Sequence, residues 1–103
     1  APHPLQQQDN NMTFTIHTDP GHGWIEVPLT IIAKLGIAKD ISSYSYTDGR
    51  NAYLEEDCDA WVFVQAFEKA HGERPEIVDS YAEFTNIRSL PRFNNRTTQG
   101  GDK

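Results

Sequence analysis

A small α+β domain is predicted, with a mixed or antiparallel sheet of about five strands, one short helix and one longer helix in the order β-β-α-β-β-α-β. Three observations predict it. Apolar and polar residues alternate over 13–18, an Asp-Gly pair at Asp48-Gly49 lies between two alternating runs, and Ala60, Phe63, Val64 and Phe67 repeat at helical spacing.

In residues 13–18, Phe14 and Ile16 stand against threonines and His17, the period of a half-buried strand. Asp19-Pro20-Gly21 turns the chain, and residues 23–27 form a second strand. Pro28 suits the first turn of a helix, where its missing N–H costs nothing. That short helix presents Leu29, Ile32, Ala33 and Leu35 and stops at Gly36. Residues 41–46 and 51–56 are strands three and four around the turn Thr47-Asp48-Gly49-Arg50. The longer helix follows, with Asp57 or Asp59 expected to cap its start and Gly72 to close it. After Pro75, residues 76–84 form a fifth strand, and Ile87 and Leu90 pin the last loop. Residues 1–11 (APHPLQQQDNN) and 94–103 (NNRTTQGGDK) offer almost nothing to bury, so a disordered arm and a disordered tail are expected around one domain at 12–93.

A chain of 103 residues holds one core. Its 9 Lys+Arg against 15 Asp+Glu give a net charge of −6, which repels phosphate backbones and makes duplex DNA an unexpected partner. No apolar stretch approaches the roughly 20 residues that cross a bilayer. One cysteine, Cys58, leaves no internal disulfide and too few thiolates for a cysteine zinc site, which fits a reducing bacterial cytoplasm. No cofactor or metal is expected: the loosely spaced His17, Asp19 and His22 do not make a convincing ligand set, and the acidic run of residues 55–59 lacks the glycine-bearing turn of a hard-cation loop.

Candidate binding residues cluster in four places. In DPGHGW (19–24), His22 is a possible proton donor or ligand contact and Trp24 a stacking platform; the alternative is a plain hairpin turn with Trp24 in the core. Tyr44 and Tyr46 share a face with Ser42 on strand three and offer contact area with few rotors to freeze. Glu55 and Glu56 open the acidic run, whose structural use is the helix start. Arg88 and Arg92, with Arg96, can meet an anion or balance those acids. No nucleophile and base stand at a spacing that a mechanism requires, so no catalytic residue is assigned.

The strings DPGHGW, ISSYSY (41–46), YLEEDCD (53–59) and RSLPRF (88–93) resemble short uncharacterised proteins of phages and mobile elements. Residues 24–55 more weakly resemble AbrB-type swapped-hairpin regulators, through Val27-Pro28, a helix ending Lys34-Leu35-Gly36-Ile37, and Asp48-Gly49-Arg50. The first resemblance implies an origin; the second implies a dimeric DNA binder, although Trp24, Glu26, Leu29 and Thr30 stand where basic residues are wanted. The expectation is a non-enzymatic accessory protein that binds another macromolecule, a protein, as monomer or homodimer. An AbrB-like regulator and a small enzyme or ligand-binding domain centred on His22 are the alternatives.

Overall fold

The computed structural model describes residues 13–83 and 85–93, so the expected arm (1–11) and tail (94–103) lie outside the described residues. Strand β1 (Thr13–Thr18) and strand β2 (Gly23–Pro28) are followed by helix α1 (Leu29–Leu35), the two-residue β3 (Tyr46–Thr47), β4 (Asn51–Glu55), helix α2 (Asp59–His71) and β5 (Glu76–Tyr81). Short 3₁₀ turns lie at Ala38–Asp40 and Ile87–Ser89. The sheet order is β3-β4-β2-β1-β5, antiparallel except where β5 runs parallel to β1, so the α+β class and the mixed five-stranded sheet stand as expected.

The pairing register sorts the side chains into two faces. Ile16 lies opposite Ile25, and Ile25 opposite Leu54, so Phe14, Ile25, Val27, Ala52 and Leu54 share one face. Both helices cover it: Ile32 of α1 and Phe63, Val64 and Phe67 of α2 join those residues in a single apolar cluster. Phe63 is fully buried and meets Phe14 edge-to-face at 4.9 Å. The period of α2 in the sequence therefore identifies the face that packs on the sheet. His17, Trp24, Glu26, Tyr46, Tyr53 and Glu55 occupy the other face, where His17 pairs with Trp24 and Trp24 with Glu55.

Local chemistry explains most of the turns. The Asp19 carboxylate accepts the backbone N–H groups of Gly21 and His22, both at 2.9 Å, and closes the β1–β2 connection. At the β3–β4 hairpin, Asp48 accepts from the N–H groups of Arg50 and Asn51 while Gly49 takes φ 93°, the left-handed region that glycine enters freely. Gly23 lets the Glu56 side chain come close: a Cβ there would lie 2.6 Å from Glu56 Oε1 and would push that carboxylate aside.

Four expectations are corrected. Residues 41–46 do not form a full strand, because Ser42 turns away from the ladder; its N–H and hydroxyl and the Ser45 hydroxyl all bond the buried Asp59 carboxylate, leaving only Tyr46 and Thr47 paired with β4. Asp59 is committed to those serines and makes no cap; residue 58 is the N-cap position of α2 and no side chain caps it. Pro28 ends β2 and stands at the N-cap of α1 instead of inside its first turn. β5 ends at Tyr81, and beyond it Ala82 N–H bonds Thr18 O.

Candidate functional site

Residues 85–93 connect the two edges of the sheet. They leave the β5 edge, pass the β1–β2 turn where Arg88 reaches Asp19, and join the β3 edge, where Thr47 N–H bonds Pro91 O, Phe93 N–H bonds Ser45 O and Tyr46 bridges Arg92. Ile87 and Phe93 are the buried anchors, and Leu90 is half-buried. This strap places Arg88 and Arg92 against the face opposite the helices.

A cleft of about 440 Å³ results, lined by His22, Trp24, Tyr44, Tyr46, Glu55, Asp57, Cys58, Arg88 and Arg92. Its floor is a row of stacked groups. The Arg88 guanidinium lies 5.1 Å over Trp24, Trp24 meets Tyr46 edge-on at 6.4 Å, and the Arg92 guanidinium lies 5.1 Å over Tyr46. His22 stacks on Trp24 at 5.8 Å.

The cations are held in different ways. Arg88 donates to both Asp19 oxygens, at 2.8 and 3.2 Å, and to His22 Nδ1 at 3.1 Å. Because a guanidinium only donates, Nδ1 is the acceptor in this contact. Loss of solvent raises the Asp19 carboxyl, but the N–H groups of His22 and Gly21 and the Arg88 charge outweigh it and lower it to about 2. Arg92 instead donates to the neutral carbonyl of Ser43 at 2.9 Å.

The facing wall is acidic. Desolvation pushes the Glu55 carboxyl up; the Asp57 N–H bond opposes this, while the charges of Asp57 and Glu56 reinforce it. Desolvation and the Asp59 charge likewise push the exposed Cys58 thiol up, the reverse of what activates a cysteine nucleophile. Tyr44 stands at the tip of the turn over residues 42–45, 64% exposed, on a loop fixed from beneath by Asp59.

Of the residues singled out in the sequence, His22, Trp24, Tyr44, Tyr46, Glu55, Arg88 and Arg92 meet around this one cleft. Glu56 does not; it turns toward Gly23. Trp24 is both buried, at 2% exposure, and part of the cleft floor. Asp57 and Cys58 line the cleft as well, and the acidic run in the sequence was the available signal for them. Among the described residues no group of three or more His, Cys, Asp or Glu could hold a metal ion, and no helix is long and apolar enough to cross a membrane. His17 is engaged by Glu26 at 2.8 Å. No family model, curated protein or solved structure matches the chain.

Proposed function

We propose that this chain is a non-catalytic accessory protein that binds another protein through the cleft. The observation that carries the reading is the convergence of Tyr44, Trp24, Tyr46, Arg88 and Arg92, from segments far apart in the sequence, on one concave surface. Aromatic and arginine side chains dominate the energetics of protein interfaces. Here they are also pre-organised: the guanidiniums are stacked and hydrogen-bonded, and the loop backbone that carries Tyr44 is tethered to Asp59, so less freedom of the arginines and of that loop is lost on binding. The resemblance to phage and mobile-element proteins supports a role in a bacterial cytoplasm.

Duplex DNA is not the partner in this reading, because no Lys or Arg occurs between Met12 and Ala33 and Arg88 is offset by Asp19. The test is affinity capture with wild type and Tyr44→Ala, alongside fluorescence anisotropy with random and AT-rich duplexes at low and physiological salt. A protein retained by wild type and lost by the variant is the expected result. Sub-micromolar duplex binding that weakens steeply with salt would replace the reading with that of a DNA-binding regulator.

A further inference from the structure

We infer that the cleft recognises a single carboxylate, carried by the partner next to an apolar or aromatic group, with Arg92 as its anchor; this rests on the reading of the cleft as a protein-binding surface. The two arginines make the case by contrast. Arg88 is already neutralised by Asp19 and bonded to His22. Arg92 is stacked on Tyr46 in the same way, yet it makes no ion pair among the described residues and spends a single bond on a neutral carbonyl. A guanidinium has five N–H donors in a planar fork that matches a carboxylate. Most of that exposed fork makes no bond to the described residues and is open to a ligand.

A second, independent observation points to an acceptor. The Trp24 indole N–H is buried and has no hydrogen-bond partner among the described residues, although Trp24 lines the same cleft. Buried donors without a partner are rare because leaving one unpaired is costly. A carboxylate offers lone pairs to an N–H donor, whereas an ammonium or an aliphatic group offers none.

The opposite wall sets the charge of the ligand. Glu55 and Asp57 make no ion pair among the described residues and face the same space. They repel a second negative charge, so a monoanion is favoured over a phosphate dianion. The aromatic floor of Trp24 and Tyr46 offers its surface to an apolar neighbour of the carboxylate. A chain-terminal carboxylate and an Asp or Glu side chain share this chemistry.

The test is a titration of the full ¹⁵N-labelled chain, followed at the Trp24 indole and Arg92 Nε–H resonances. The probes are N-acetyl-phenylalanine, the amidated dipeptide N-acetyl-Phe-Glu-amide, N-acetyl-phenylalaninamide and phenyl phosphate. Both carboxylate probes should shift the two resonances, with the neutral amide and the phosphate at least tenfold weaker; the tighter of the two carboxylates identifies the source. Arg92→Gln should erase the advantage of acid over amide while its remaining amide spectrum keeps the wild-type pattern, and Arg92→Lys should restore part of it. Equal shifts from acid and amide, an advantage that survives in Arg92→Gln, or no shift from any probe would overturn the inference. Equal shifts confined to the cleft would leave the protein-binding reading standing, because only the carboxylate would have failed.

Discussion

The two faces of the sheet are closed by different physics. On one, Phe14, Ile25, Val27 and Leu54 meet Phe63, Phe67 and Ile32 in a continuous apolar cluster under two helices. On the other, Trp24 is buried outside that cluster beneath a strap of residues 85–93. One ion pair, stacking, a few backbone bonds and the buried Ile87 hold the strap, and its end, Phe93, reaches into the apolar cluster. Apolar burial is non-directional and scales with area, so the helix face supplies stability. Stacked guanidiniums and carboxylate pairs are directional and partly solvated, so the strap face contributes less stability but presents oriented donors. One face makes the fold and the other displays the cleft.

The difference can be broken from the helix face first. Phe63→Ala removes a fully buried ring and should cost about 3–5 kcal/mol in chemical denaturation, a large part of what a small domain possesses. A change under about 1 kcal/mol would mean that the helices do not carry the core.

Asp59→Ala should follow, at about 2–3 kcal/mol, because it strands the Ser42 N–H and the Ser42 and Ser45 hydroxyls. It should also free the loop bearing Tyr44, visible as a fall in the order parameter of the Tyr44 amide. An unchanged order parameter would show that Asp59 is not the tether.

On the strap face the effects are smaller and depend on pH. Asp19 is lowered from 3.8 to about 2 in the folded chain, so its bonds to the His22 N–H, to Arg88 and to the Gly21 N–H together stabilise fully above pH about 4, and that contribution is lost as pH falls through about 2. Asp19→Asn should flatten stability across that window, and Arg88→Ala should reduce the slope while costing less at neutral pH than Asp59→Ala. An unaltered slope in both variants would show that Asp19 and Arg88 do not hold the strap.

The smallest effect is at high pH. Desolvation, and then the bond to Asp48, push the Tyr53 hydroxyl up to about 12; its neutral form therefore favours folding below pH 10, and that contribution disappears as pH rises toward 12. Absorbance titration should show a late phenolate step that Tyr53→Phe removes.

What was legible in the sequence follows the range of the interactions. The alternation over β1, the Asp48-Gly49 hairpin and the repeat of α2 are local patterns, and the structure reproduces them. Residues 41–46 misled because their fate is decided by Asp59, 17 residues from Ser42, and no local pattern records that competition. The parallel pairing of β5 with β1 and the course of the strap are likewise long-range, and Phe93 was missed as an anchor because it stands alone beside a polar stretch. The cleft residues were legible as residue types in four separate places, but their meeting depends on the strap. Glu56 was grouped with Glu55 by adjacency, but β4 ends at Glu55 and Glu56 turns toward Gly23, away from the cleft.

The claim that the strap face is for binding and the helix face for folding is tested most directly by one paired measurement on Tyr44→Ala: quantitative capture of partner protein, with the denaturation midpoint of the same sample. Tyr44 is 64% exposed, so its removal should leave stability within about 0.5 kcal/mol of wild type while partner capture falls about tenfold or more. Capture of the same protein at wild-type yield by the folded variant would contradict the account.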